Sequence, residues 1–510
     1  MSLKRGILVG IAWLTVGVAP TVAATFTVDS TADAVDVAPG DGTCATAGGS
    51  CTLRAAIQEA NALAGPDTIR VPAGTYLLTI AGQGEESAAT GDLDITDDVT
   101  LTGASADSTI LDGNGIDRIF DIFNSASFVR ISALTIRNGN PGPGAYGGGL
   151  YNSSMLTLSN VIVTGNTAAV NGGGIESDND ITLTDCAVSG NTAGASGGGI
   201  DNALTARLNN VTVSGNMSGA AGGIENIFNL TLLNVTVSGN TAMSSGGGIQ
   251  NDAGTAALTN VTIADNTAQS GGGFNNLSNA TFGYVIVANS PSGENCAGSG
   301  TLTSQGHNLD SVNTCGFAGP GDLVNTDPQL GPLQDNGGPT FTHALSSGSP
   351  AIDAGGTDCP PPSTDQRGFA RPVDGNGDGI ATCDIGAYEF AAATPPGCPE
   401  GATFPSIDCR LDQLIQMAQT VVPPGALHDG LGRILAKVKA QVAQAEQALA
   451  NGKKRREKSM LGRARGSLGK FEARLGTRKA KHGIAADARA SMKNAADQLR
   501  QDLMTLRRSS

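Results

Sequence analysis

The chain has 510 residues, a formal net charge of −15 and only 4% aromatic residues. Positions 1–400 hold 10 Lys and Arg against 37 Asp and Glu, whereas positions 401–510 hold 21 against 9. No lysine occurs between Thr25 and Glu400, so the charge map divides the chain into two parts with different surfaces; the basic part could bind nucleic acid in principle, but no nucleic-acid partner is expected of a chain that carries export signals.

Lys4 and Arg5 precede an apolar run from Gly6 to Val18 and then Val22-Ala23-Ala24. A charged start, a short apolar stretch and a small-residue site describe a secretory signal peptide over residues 1–24, cleaved after Ala24. The apolar run is too short to span a bilayer. No second one follows, so the mature chain is expected to be secreted or held at the outer cell surface, with no transmembrane segment. Cysteine usage agrees with export. Eight of the nine cysteines fall into neighbouring couples that close short loops: Cys44 with Cys51, Cys296 with Cys315, Cys359 with Cys383, and Cys398 with Cys409. Local pairing is the expectation, although eight cysteines allow about 105 connectivities. None of the couples has the Cys-x-x-Cys spacing of zinc sites. Cys186 takes the place that Val161, Val211, Val235 and Val261 hold in a repeat, and reads as a buried small hydrophobe with an inert thiol.

After the signal, residues 25–29 read as a strand. Residues 51–64 read as a helix with one apolar face, Leu53, Ala56, Ile57 and Ala60, stopped by Gly65-Pro66. The chain then turns periodic. Gly-Gly-Gly ends at Gly149, Gly174, Gly199, Gly248 and Gly273, with Ala221-Gly222-Gly223 between, in steps of 24 or 25 residues. Asn166, Asn191, Asn216, Asn240 and Asn266 keep the same beat. Such a period marks one coil of a solenoid, which buries its apolar face only by stacking on its neighbours. The expected fold class is mainly β: a right-handed parallel β-helix of about 25-residue coils over residues 25–390, roughly a dozen coils in all, then a helical bundle. The hand follows from the bias of parallel crossovers. A solenoid has raw ends, and the helix at 51–64 is expected to cap the N-terminal one. In Asn210-Val211-Thr212-Val213-Ser214 the valines should point inward and the hydroxyls outward. The marker asparagines, and a second column of Asn152, Asn202, Asn226, Asn251 and Asn276, should stack as amide ladders.

The residue following each glycine triplet and its apolar neighbour runs Tyr151, Glu176, Asp201, Glu225, Gln250, Asn275. With the apolar neighbour inward, this column is expected to face water. Glu176, Asp201 and Glu225 would then stand on consecutive coils about 4.8 Å apart. Carboxylates about 5–5.5 Å apart can serve retaining glycoside hydrolysis, and wider pairs the inverting route. These three are the candidate catalytic residues. The plainer reading is an acidic stripe that holds cations loosely, because no aromatic platform flanks it and Tyr151 alone could stack on a sugar.

Farther on, Asp374-Gly-Asn376-Gly-Asp378-Gly379 places oxygen ligands at positions 1, 3 and 5 and glycine at 6 of a calcium loop, with the carbonyl of Ile380 at position 7. The bidentate Glu of position 12 is missing, and Asp384, one residue early, stands in for it. A structural calcium ion pinning the end of the rod is the expectation, with a plain acidic turn as the alternative. Between residues 25 and 400 there are eight arginines and two histidines, His307 and His343. Arg130, Arg137 and Arg207 lie in or near the coils, without a paired-arginine motif of the lyase kind. Both histidines read as structural or surface residues, not general bases. Nucleophile-elbow, zinc-protease and phosphate-loop motifs are absent.

Residues 391–408 read as a linker and 409–510 as a basic helical bundle. Leu431, Leu435, Val438, Val442, Ala445 and Leu449 step by three and four; so do Leu461, Ala464, Leu468, Phe471 and Leu475, and less strictly Ile484, Ala488, Met492, Ala495, Leu499 and Leu506. Gly452 and Gly483 fall near the breaks, giving three antiparallel helices with a shorter one over 408–421 in front. Lys453-Lys454-Arg455-Arg456 and the basic residues that follow form a face suited to an anionic surface, or simply a solvated one.

Three stretches resemble known exported families. Cys51-Thr52-Leu53-Arg54-Ala55-Ala56-Ile57 resembles the "CSLREA" segment of exported bacterial proteins. The coils resemble the repeats of polymorphic outer-membrane proteins and of the pectate-lyase-like right-handed parallel β-helix superfamily. Asp327-Pro328-Gln329-Leu330-Gly331-Pro332-Leu333, Gly348-Ser349-Pro350-Ala351-Ile352-Asp353, Asp365-Gln366-Arg367-Gly368 and Cys383-Asp384-Ile385-Gly386-Ala387-Tyr388-Glu389 together look like the choice-of-anchor Q domain. The helical tail more faintly resembles FIMAH-type bundles. The resemblance implies a secreted or surface β-helix and no particular activity. The leading expectation is therefore a non-enzymatic surface or matrix protein for adhesion or polysaccharide binding. The alternative is a polysaccharide lyase or glycoside hydrolase on the same fold.

Overall fold

A computed structural model describes residues 23–356, 359–376, 380–391, 398–399, 401–422, 425–484 and 486–509. Most of the expected signal peptide, seven positions of the expected linker (392–397 and 400) and Asp378 of the expected calcium loop lie outside the described residues.

The periodic part is a parallel β-solenoid of about nine coils, fewer than the dozen expected. Each regular coil contributes one three-residue strand, such as Ile175–Ser177, to a nine-stranded sheet. It contributes a longer run, such as Thr205–Ser214 or Asn229–Ser238, to a sixteen-stranded sheet. A two-residue strand such as Thr192–Ala193 completes the turn in a four-stranded sheet. The ten-residue strands bend midway where the backbone enters the left-handed region, at Asn160, Asn210, Asn234 and Asn260, with φ between 53° and 55°. Asparagine tolerates that conformation at low cost, so one strand serves two faces of the coil.

Stacking in register puts like residues over like. Val211 pairs with Val235 and Val235 with Val261; Leu208 pairs with Leu232 and Leu232 with Leu258. Val161, Cys186, Val211, Val235 and Val261 are all buried in one continuous apolar core. Cys186 is free, and burial pushes its thiol up to about 12, which keeps it inert. Both amide ladders form, the second from Asn202 onward, because Asn152 donates to Ser177 Oγ of the next coil and not to an asparagine. Asn166 Nδ2 donates to Asn191 Oδ1, Asn191 to Asn216 and Asn240 to Asn266, each at 3.0 Å. In the second column Asn202 donates to Asn226, Asn226 to Asn251 and Asn251 to Asn276, at 2.7–2.8 Å. The glycine triplets are stacked turns. A β-carbon on Gly173 would stand 2.4 Å from the carbonyl oxygen of Gly198 one coil along, a distance only glycine permits.

Helix α1 (Leu53–Ala62) starts at Thr52, whose side chain accepts from the Ala55 amide. The sequence suggests one apolar face, but both faces are covered. Arg54 and Glu59 are buried along with Leu53, Ala56, Ile57 and Ala60. Glu59 accepts from the amides of Gly40 and Gly42, so the loop before the helix wraps its polar side. Arg54 pairs with Asp33 at 2.6 Å and donates to the carbonyls of Ala88, Gly91 and Asp92. All four cysteine couples are joined as the loop lengths suggest: Cys44–Cys51, Cys296–Cys315, Cys359–Cys383 and Cys398–Cys409.

The helical region comprises α2 (Phe404–Val421), α3 (Ala426–Ala450), α4 (Lys454–Leu475), a short α5 (Arg478–Gly483) and α6 (Ala486–Ser509). They share a second apolar core in which Leu431, Leu435, Val438 and Val442 meet Leu461, Leu468 and Phe471. Helix α2 begins four residues before the expected 408, because Thr403 caps it through the Ser406 amide and Pro405 suits its first turn. On α6 the buried stripe is Met492, Ala496, Leu499 and Leu503, while Ala495 and Leu506 are only partly buried. Among the described residues no helix is long and apolar enough to cross a membrane.

Candidate functional site

The nine-stranded sheet builds the carboxylate column. Tyr151, Glu176, Asp201, Glu225, Gln250 and Asn275 are the middle residues of consecutive three-residue strands and pair in exact sequence along the sheet. The column also continues in the other direction. Asp94 pairs with Asp121, and Asp121 with Tyr151. Sequence reasoning missed these two because the coils before Gly149 carry no glycine triplet. The available signal was the apolar-Asp-Ile pattern of Leu93-Asp94-Ile95 and Phe120-Asp121-Ile122.

The expectation that this column faces water is overturned. Glu176 and Glu225 are each 6% exposed, and Asp201 is fully buried. The cause is the glycine turn. Gly172, Gly197 and Gly246 each stand four residues before the column position in the left-handed region, and the turn folds directly over it. A β-carbon on Gly172 would meet the β-carbon of Glu176 at 2.7 Å, and one on Gly197 would meet that of Asp201 at 2.7 Å. Both oxygens of Asp201, and one each of Glu176 and Glu225, lack a hydrogen-bond partner among the described residues.

Electrostatics follow from that enclosure. Burial, then the charges of Asp201, Asp178 and Glu225, push Glu176 up to about 9. Burial, then Asp178 and Asp252, push Asp201 up to about 7. Burial and the Asp201 charge push Glu225 up to about 8. Carboxyls so placed hold protons near neutral pH. The phenol of Tyr151 donates to Asp178, so it is tied into the acidic stripe. At the head of the column Arg118 donates to Asp121 at 2.6 Å and lies over the Tyr151 ring, 5.5 Å from its centre.

The sixteen-stranded sheet is covered in part, over the later coils. Residues after the last regular coil fold back along the outward hydroxyls of the long strands. Gln366 is fully buried there. Its Nε2 donates to Thr212 Oγ1 and Thr340 Oγ1, each at 2.9 Å, and its Oε1 accepts from Thr236 Oγ1 at 2.7 Å. Thr212 donates to the carbonyl of Phe341, and Thr262 accepts from the Ala387 amide. His343 is buried between Ser238 Oγ, at 2.8 Å, and the Gly331 carbonyl, at 2.7 Å; His307 stacks on Tyr284 and bonds the Ala354 carbonyl. Both histidines are thus structural. Asp365 and Glu389 knit the segment together: Asp365 holds Arg367 at 2.6 Å, and Glu389 holds the fully buried Arg371 at 2.8 Å.

Asp374, Asn376 and Ile380 lie among the described residues, and Asp378 does not. The Gly375 and Asn376 amides are held by Asp353. Asp384 is buried and accepts from the amides of Asp353 and Phe390; burial, then Glu389, push it up to about 8. Two of its lone pairs are therefore committed to backbone.

Compared with protein-family models, curated proteins and solved structures, the chain matches none.

Proposed function

We propose that the chain is an exported, right-handed β-helix protein of the cell surface or matrix that binds polysaccharide or another surface polymer and is not an enzyme. The observation that carries this reading is the closure of the carboxylate column: Glu176 and Asp201 lie under the glycine turns at Gly172 and Gly197, and Glu225 is buried four residues after the left-handed Ala221, where a sugar ring cannot reach them. The outward hydroxyls of Thr212, Thr236 and Thr262 are covered as well, by the segment around Gln366, Phe341 and Ala387. What stays open is repetitive surface, which favours many weak contacts over one deep pocket. Four disulfides suit an oxidising compartment. In this reading α1 caps the first coil, and the likeness to the CSLREA and choice-of-anchor Q families reflects common descent.

The loop at 374–380 is proposed to take calcium through Asp374, Asn376, Asp378 and the Ile380 carbonyl, with Asp384 its least available ligand. The exposed Lys453, Arg455, Arg456, Arg474, Arg478, Lys479 and Lys481 are proposed to bind an anionic surface in a salt-dependent way.

The test is incubation of the full chain with a panel of acidic polysaccharides. Retention on the polymer that weakens with salt, with no release of reducing or unsaturated sugar ends, is the expected result. Release of such ends would replace this reading with the lyase or hydrolase alternative.

A further inference from the structure

The first coils of the nine-stranded sheet bring Asp92 and Asp94 against Asp121 of the next coil. One carboxylate oxygen from each residue lies within 4.8 Å of the other two. Among the described residues no other three His, Cys, Asp or Glu side chains converge in this way. Convergence alone is common on an acidic protein. A second fact is independent of it. Asp94 is 1% exposed; its Oδ2 accepts from the Ala88 amide at 2.6 Å, but its Oδ1 is buried without any hydrogen-bond partner among the described residues. A buried carboxylate oxygen with neither donor nor cation is costly.

The local charge does not balance either. Asp117 is buried beside the three and repels Asp92 and Asp121. Arg118 is one of two nearby cations. Its Nη1 meets Asp121 Oδ2 at 2.6 Å, and its Nε stands 3.6 Å from Asp92 Oδ2, beyond hydrogen-bond reach. Arg54 is committed to Asp33 and to three backbone carbonyls. Arg54 still attracts Asp94 and Asp117 through space, so that with Asp33 five carboxylates share two guanidiniums among the described residues.

We propose that Asp92, Asp94 and Asp121 form a binding site for a divalent, oxygen-preferring metal ion, with calcium as its representative. The donor set is all carboxylate oxygen, which suits a hard cation and disfavours zinc or copper. The donors are held in place. Asp94 and Asp121 sit in register on adjacent strands, and the loop carrying Asp92 is pinned through Arg54 to the Ala88, Gly91 and Asp92 carbonyls. Asp121 is the most exposed of the three, its side chain 19% accessible, which leaves the way in for ion and water on its side. A carboxylate bonded to Arg118 through one oxygen keeps the other for the metal. The ion would clamp two coils at the N-terminal end of the solenoid, next to the buried α1.

Calorimetric titration of the chelator-treated full chain with calcium chloride tests this, with the 374–380 loop silenced by Asp374→Asn and Asp378→Asn. That variant is expected to retain a calcium site and a calcium-dependent rise in thermal midpoint. Adding Asp121→Asn, which preserves shape, is expected to weaken binding by roughly tenfold or more and abolish the rise. Should that protein fail to fold, Asp92→Asn on the same background is expected to give the same loss. Absence of calcium heat in the loop-silenced chain, or unchanged affinity after Asp121→Asn or Asp92→Asn, overturns the proposal.

Discussion

Asn216 Nδ2 donates to Asn240 Oδ1 at 2.9 Å one coil along, and the Asn216 backbone amide shares that acceptor at 3.0 Å. Its own Oδ1 receives the corresponding pair from Asn191. Each rung therefore satisfies buried groups on two neighbours as well as its own. Asn216→Ala strands several of them at once, and the expected loss is on the order of 3 kcal/mol. Urea denaturation of the variant measures it. A loss under about 1 kcal/mol, the size expected for a single replaceable hydrogen bond, would contradict the ladder's role.

The buried column gives stability a pH dependence of definite sign. The carboxyls of Glu176, Asp201 and Glu225 have folded values raised, to about 9, 7 and 8, above their ordinary range. Their contribution is complete below the unfolded carboxyl range near pH 4 and is lost as pH rises through about 7 to 9. The thermal midpoint should therefore fall between pH 6 and pH 8.5, and Asp201→Asn, which cannot ionise, should flatten that fall and raise the midpoint at the alkaline end. Scanning calorimetry at both pH values decides it. Parallel falls in variant and parent would remove the column as the cause.

The solenoid was legible because every coil meets the same neighbours. Val161, Cys186 and Val211 occupy one environment, so the same kind of residue recurs and the period exposes it. The burial of Glu176 was not legible by the same logic. A two-residue alternation places it outward, and only the left-handed turn at Gly172, four residues earlier, folds the chain back over it. Asp94 and Asp121 escaped notice because their coils differ in length and lack the triplet. Gln366 meets Thr236 across 130 residues of sequence, a contact that no local pattern encodes.

That long-range contact makes its own prediction. Gln366 is fully buried and bridges the returning segment to Thr212 and Thr236 of two different coils. Gln366→Ala leaves both hydroxyls and Thr340 Oγ1 short of partners, at an expected cost of about 2–3 kcal/mol. The loss should be local, because the coil core does not include this residue. Limited proteolysis should then cut between residues 328 and 390 faster than in the parent, while the coils from 150 to 288 stay protected. Uniformly faster cleavage across both regions would mean that the segment and the coils unfold as one.

Two glycines separate the reasons for the residue's abundance. Gly198 sits inside a stacked triplet, where a β-carbon would stand 2.4 Å from the Gly222 carbonyl oxygen and 2.6 Å from that of Met217. Both obstacles are backbone of the stack and cannot swing aside, so Gly198→Ala must push coils apart. Gly215 has a φ of 63° but nothing among the described residues within 4 Å of the same position, so alanine there meets only left-handed strain. The expected losses are about 3 kcal/mol or more at Gly198 and about 1 kcal/mol at Gly215. Denaturant midpoints of the two variants, measured side by side, give the comparison. Equal losses would mean that close coil packing is not what reserves the triplet for glycine, and that conformation alone selects it.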